Sequence, residues 1–122
     1  MQLKPYDCDL SICKVKAIPN EIYGGELCFI GKTDEELSVV CETKLVPGDA
    51  EQCDSGWRAF RIQGVLDFSL TGILAPIAAI LAENKIGIFA VSTYNTDYLL
   101  IKQESFQKAL GILANNGYEV ID

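Results

Sequence analysis

Two short segments carry the residue types that could hold a small charged ligand. Gly72-Ile73-Leu74-Ala75-Pro76 opens an apolar helical pattern, and Ser92-Thr93-Tyr94-Asn95-Thr96-Asp97 is a polar turn between two apolar runs. A glycine where a strand gives way to a helix lets a ligand approach the backbone N–H groups of the first helical turn. Those groups and the helix dipole favour a carboxylate. Asp97 has the charge to meet an ammonium or a basic side chain, while Thr and Asn side chains and loop carbonyls supply the remaining hydrogen bonds. A plainer reading, in which Gly72 only caps a helix and Asn95-Thr96 only turns a hairpin, stays open on the residues alone.

Other chemistries lack their parts. The 122 residues include no histidine, which excludes Ser-His and Cys-His nucleophiles, imidazole proton shuttling and His-ligated metals. Tyr98 and Lys102 have the spacing of a Tyr/Lys dehydrogenase pair, but the segment reads as a strand and no glycine-rich phosphate fingerprint accompanies it. Asp34-Glu35-Glu36 sits in a polar turn and reads as a solvated charge cluster rather than an acid/base pair. The five cysteines (Cys8, Cys13, Cys28, Cys41, Cys53) are odd in number, irregularly spaced and free of a CxxC pair. They read as small buried hydrophobes of a reducing compartment, not as a zinc site. The sequence therefore predicts a chain that is not an enzyme, with no catalytic residues, no metal and no cofactor.

Composition narrows the partners. Ten Lys plus Arg against 17 Asp plus Glu give a net charge of −7. No cluster of cations exists to neutralise phosphates, so neither nucleic acid nor an anionic membrane surface is expected as a partner. The N-terminus shows no apolar signal-peptide core, and the longest apolar run, 73–82 around Pro76, is about half the length that spans a bilayer. A cytoplasmic protein is the expectation.

The elements that must position the two segments are clearest in the second half. A strand is expected over 62–68 with Gly64 as a bend, then turn chemistry at 69–72 and a helix over 73–84. Leu74, Ile77, Ile80 and Leu81 give that helix one apolar stripe, and Pro76 falls near its first turn. Strands are expected at 86–91 and 98–101, with an amphipathic helix between them and a last strand at 118–121. Phe106, Ala109, Leu110 and Leu113 mark that helix, and Asn115-Asn116-Gly117 ends it. The order β-α-β-β-α-β is the split βαβ pattern of a ferredoxin-like sandwich.

The first half reads mostly as strand: 10–15, a hairpin of 27–30 with 37–41, and 57–62, where Arg58 and Arg61 break the period. Pro19-Asn20, Gly24-Gly25, Pro47 and Gly48 leave little room for helices. A shift of 61 residues carries 27–30 onto 88–91 and 37–40 onto 98–101, which predicts a degenerate internal duplication.

At these residues the sequence resembles ACT-domain proteins. Gly72-Ile73-Leu74-Ala75-Pro76-Ile77, Asn84-Lys85-Ile86-Gly87-Ile88 and Ser92-Thr93-Tyr94-Asn95-Thr96-Asp97 with the following Tyr98-Leu99-Leu100-Ile101 are similar to the ACT lobes of small bacterial ACT proteins. They are similar also to those of the cytosolic arginine sensor of the TOR pathway and of aspartokinases. The likeness covers roughly 65–121 and continues more weakly into the first half. It implies an α+β fold of two tandem ACT-like lobes, 1–62 with reduced helices and 63–122. It further implies a regulatory module that binds a small amino acid where lobes meet, within the chain or across a homodimer, and acts on a partner protein. On this likeness Gly72, Ile73 and Leu74 meet the ligand's carboxylate end, and Thr93, Tyr94, Thr96 and Asp97 contact its polar groups. In the first lobe Gly31-Lys32-Thr33-Asp34-Glu35-Glu36 departs from the pattern, which puts a second equivalent site in doubt. The alternative function is a ligand-free dimerisation or protein-docking module.

Overall fold

In a computed structural model that describes residues 1–64 and 72–121, the chain forms eight strands and two α-helices. In chain order these are β1 (Gln2–Pro5), β2 (Leu10–Lys14), β3 (Cys28–Lys32), β4 (Leu37–Glu42), β5 (Gln52–Ile62), α1 (Leu74–Glu83), β6 (Phe89–Ser92), β7 (Asp97–Lys102), α2 (Gln103–Asn115) and β8 (Glu119–Val120). They divide between two compact units: an N-terminal lobe, Cys8–Trp57, and a C-terminal lobe, Arg58–Asp122 together with Met1–Asp7.

The N-terminal lobe has the strand order β3-β4-β2-β5, its last position filled by the first half of β5. Where a split βαβ unit would carry helices, it has 3-10 turns at Asn20–Gly24 and Thr43–Leu45. Pro19 precedes the first and Gly24-Gly25 ends it, while Pro47-Gly48 follows the second, so neither can lengthen. Cys13, Val15, Val39 and Cys41 close a small core with Ile22 of the first turn.

The C-terminal lobe has the order β6-β7-β5-β1-β8, with the second half of β5 at its centre. Phe60 and Ile62 of β5 and Leu99 and Ile101 of β7 alternate onto the face that Ile77, Leu81, Phe106 and Leu113 of the helices cover. Each such side chain, fully buried, contributes about 1.5–3 kcal/mol. Arg58 joins β5 to the end of β1 and to α2. Its Nη2 donates to the Tyr6 carbonyl at 2.6 Å, and its guanidinium lies 4.3 Å over the Phe106 ring.

Both helices end the same way. Asn84 Nδ2 donates to the Ile80 carbonyl at 2.9 Å, and Asn116 Nδ2 to that of Ile112 at 2.8 Å. The next residue then turns left-handed, Lys85 at φ 60° and Gly117 at φ 94°. Pro76 is the third residue of α1, where no intrahelical N–H bond is lost.

Several expectations shift. β1 was not foreseen: Gln2–Pro5 runs antiparallel to β5 and parallel to β8. A short strand ending in Pro has little signature of its own. β5 begins at Gln52 rather than Trp57 and ends at Ile62; of the strand expected over 62–68 and the turn over 69–72, residues 65–71 lie outside the described residues. The strand expected from 86 begins at Phe89. A boundary after Ile62 and the compact units do not coincide, because β1 pairs with β5 and takes the first seven residues into the C-terminal lobe.

The two hairpins also correspond at an offset of 60 (89 minus 29) rather than 61. Phe29 lies opposite Val40 and Phe89 opposite Leu100; Ile30 lies opposite Val39 and Ala90 opposite Leu99. The turns close identically at that offset. Thr33 N donates to Glu36 O, and Thr93 N to Thr96 O, each at 2.9 Å. Matching apolar types favours 61, but a one-residue slip would exchange the faces of every side chain, so the turn chemistry decides.

Candidate functional site

A cavity of about 280 Å³ in the C-terminal lobe is lined by Arg61, Gln63, Gly64, Thr93, Asn95, Thr96 and Tyr98. Strand alternation builds it. Phe60 and Ile62 face the helices, so Arg61 between them faces the opposite side; Leu99 and Ile101 do the same for Tyr98. The turn between β6 and β7 then closes one end. Thr96 is buried, and its Oγ1 donates to the Ile62 carbonyl at 2.7 Å, anchoring that turn against the end of β5.

Arg61 is the charged group of this cavity. Its Nε donates to Gln63 Oε1 at 2.9 Å, and its guanidinium lies 5.9 Å from the Tyr6 ring centroid. The Tyr6 and Tyr98 rings are 6.2 Å apart. A hydrogen bond with Tyr98 holds the Arg61 pKa above its ordinary value against the opposing effect of burial, so the cation is permanent. A guanidinium has five N–H donors in a planar fork, and Gln63, Tyr98 and Tyr6 leave donors over for a carboxylate. The surrounding hydroxyls and amides of Thr93, Asn95 and Gln63 can both donate and accept. Nothing in the set is a nucleophile paired with a base. Among the described residues no group of three or more His, Cys, Asp or Glu is arranged to hold a metal.

The structure brings together two of the residues singled out from the sequence, Thr93 and Thr96. Tyr94, at the tip of the same turn, is 81% exposed. Asp97 has the parity of Leu99 and Ile101, hence the helix-bearing side, and its Oδ1 accepts from Ser92 Oγ at 2.6 Å. Gly72 has φ 72° with open space where a side chain would stand, so backbone geometry, not crowding, requires glycine there. Ile73 and Leu74 pack against the core as α1 begins. The sequence reading missed Arg61, Gln63 and Tyr98. The signal was present in Arg58 and Arg61, two arginines set among the apolar residues of β5. Arg58 proves to be structural, and Arg61 opens onto the cavity.

Residues 52–115, just over half of the chain, match the family model of the ACT domain. The chain belongs to the ACT-domain family. Residues 8–49 match a second model, described as an N-terminal domain. No curated protein sequence matches the chain. Among solved structures, a protein of Agobacterium tumefaciens is 36% identical with TM-score 0.89, covering 98% of this chain and 91% of its own. A Vibrio cholerae protein is 20% identical with TM-score 0.73, covering 93% and 88%. The aspartate kinase of Clostridium acetobutylicum, an allosteric enzyme, is 15% identical with TM-score 0.68; the match covers 93% of this chain and 33% of that one. The last two likenesses show the fold.

The ACT-domain architecture matches the expected α+β class. The C-terminal ACT lobe carries β5, α1, β6, β7, α2 and β8, and the N-terminal lobe repeats the pattern with its helices reduced to 3-10 turns. Among the described residues no helix is long and apolar enough to cross a membrane.

Proposed function

We propose that this ACT-domain protein is a non-catalytic, cytoplasmic regulatory module whose C-terminal lobe binds a small amino acid and passes its occupancy to a partner protein or a second copy. The observation that carries the reading is Arg61, a permanent cation in a cavity otherwise lined by neutral hydrogen-bonding groups. The cavity lies near the small end of the ~300–1,000 Å³ range of ligand sites, which suits an amino acid better than a nucleotide. The ligand carboxylate is assigned to Arg61, and its polar remainder to Thr93, Asn95 and Thr96. Gly72, Ile73, Leu74, Tyr94 and Asp97 are assigned to the rim that faces a second lobe, at an interface the edge strand β6 can make with another copy. Occupancy becomes a signal only if the amino acid favours one assembly state over the other.

Thermal melts against the twenty amino acids and common metabolites test the proposal. A ligand at 100 times its dissociation constant adds about 2.7 kcal/mol. At the same ligand concentration the shift should fall to about half or less in Arg61→Gln. No shift with any amino acid overturns the proposal.

The second reading, pairing without a ligand, draws on Phe89, which is 36% exposed on the edge strand β6. It requires a dimer that forms equally with and without amino acids and is indifferent to Arg61→Gln.

A further inference from the structure

The cysteines of the N-terminal lobe are not all alike. Cys13 of β2 lies directly opposite Cys53 of β5 in the antiparallel pairing, and their sulfurs are 2.9 Å apart. A disulfide needs facing Cβ atoms and an S–S separation near 2.05 Å, so the pair is about 1 Å short of bonding distance with its strands already in place. Access is unequal: Cys13 is only 2% exposed, whereas Cys53 is exposed. Both line a cavity of about 540 Å³ together with Lys14, Ser38, Gln52 and Ser55, which gives a small molecule a path to the exposed Cys53. Hydroxyls flank the outer sulfur. Ser55 Oγ is 3.6 Å from Cys53 Sγ and 2.8 Å from Ser11 Oγ.

We propose that Cys13 and Cys53 form a reversible disulfide when the protein meets a hydroperoxide, Cys53 taking the oxidant and Cys13 resolving it. The Cys53 thiolate attacks one peroxide oxygen; the O–O bond breaks, and Cys53 becomes a sulfenic acid as hydroxide or alkoxide leaves. Cys13 sulfur then attacks Cys53 sulfur. The S–O bond breaks, the hydroxyl departs with the Cys13 proton as water, and the S–S bond forms. Two electrons pass from the two sulfurs to the peroxide, and a dithiol reductant returns them. The division of roles follows from the surroundings. Burial, the hydrogen bond to Cys53 and its charge push Cys13 up to about 12, so Cys13 keeps its proton at neutral pH, and the exposed Cys53 is the sulfur the oxidant meets first. Cys28 and Cys41 also lie opposite one another, across β3 and β4, and provide an internal comparison.

The experiment treats the fully reduced chain with equimolar hydrogen peroxide, blocks remaining thiols by alkylation, and maps peptides by mass spectrometry without reduction. The expected result is loss of two thiols per chain, a single intramolecular Cys13–Cys53 link, and its disappearance with dithiothreitol. A Cys28–Cys41 link, a link between chains through Cys53, or overoxidised Cys53 beside alkylated Cys13 overturns the proposal. In Cys13→Ser a sulfenic acid at Cys53 should be trapped by dimedone. In Cys53→Ser, a change at an exposed position, the remaining thiols should all survive the same dose. Survival supports the assignment, and oxidation of Cys13 in that variant overturns it, whether or not Cys13→Ser folds.

Discussion

Thr96 Oγ1 reaches the main-chain carbonyl of Ile62 at 2.7 Å, joining the tip of one hairpin to the end of a strand 34 positions earlier. The bond is buried, and it holds Thr93 and Asn95 of the turn beside Arg61 and Gln63 of the strand end. In the N-terminal lobe the equivalent turn position is Glu36, so the same device is not repeated there.

Replacing Thr96 with Val keeps the shape and removes the donor, leaving the Ile62 carbonyl buried without it. The expected cost is about 1–3 kcal/mol, read as a lower urea midpoint at unchanged m-value. Thr96→Ser should recover most of it. Equal losses in both variants would show that the methyl group, not the hydroxyl, matters.

Arg61→Gln should weaken binding of the amino acid by about tenfold to a hundredfold, the scale of a charge-assisted hydrogen-bond pair, with little change in the melt of the free protein. Asp97→Ala, whose carboxylate already accepts from Ser92, should leave affinity within about twofold while altering assembly. Isothermal titration of both variants checks this. The opposite pattern would move the ligand to the Gly72 and Asp97 rim.

The two helix ends make a matched pair of opposite sign. Gly117→Ala forces a Cβ into φ 94° and should cost about 1 kcal/mol. Lys85→Gly relieves a non-glycine residue at φ 60° and should gain about 0.5 kcal/mol. Denaturant melts of the two single variants are sufficient to test both.

Alkali should destabilise the N-terminal lobe through its buried thiols. Burial is the largest cause raising Cys13 to about 12 and Cys41 to about 11, from an ordinary 9.0. A raised folded-state pKa means the fold prefers the neutral thiol. Its contribution is complete below pH 9 and is lost as pH rises through about 11 to 12. Urea melts of the reduced protein over that window should fall less steeply in Cys41→Ala than in the parent chain. Parallel curves would remove Cys41 from the account.

Much of the C-terminal ACT lobe was legible because its helices state their own periodicity. The stripe of Leu74, Ile77, Ile80 and Leu81 and that of Phe106, Ala109, Leu110 and Leu113 both became core-facing. The left-handed exit at Gly117 lies where the Asn-Asn-Gly run put it. The offset between the two hairpins was legible to within one residue, since apolar runs mark strands but leave register to the turn. Absence of histidine needed no structure at all.

Partners distant along the chain were decided only in three dimensions. Gln2–Pro5 is a strand because β5 and β8 offer it two edges, not because four residues demand it. Cys13 and Cys53, unremarkable 40 positions apart, meet because the β2–β5 register sets them opposite. Arg61 reads as an interruption in a strand until alternation turns it away from Phe60 and Ile62 and towards the Thr93–Thr96 turn. Local periodicity and turn chemistry are short-range properties that a sequence carries directly. Register and strand order depend on long-range backbone pairing, and the folded chain alone determines which side chains share a cavity.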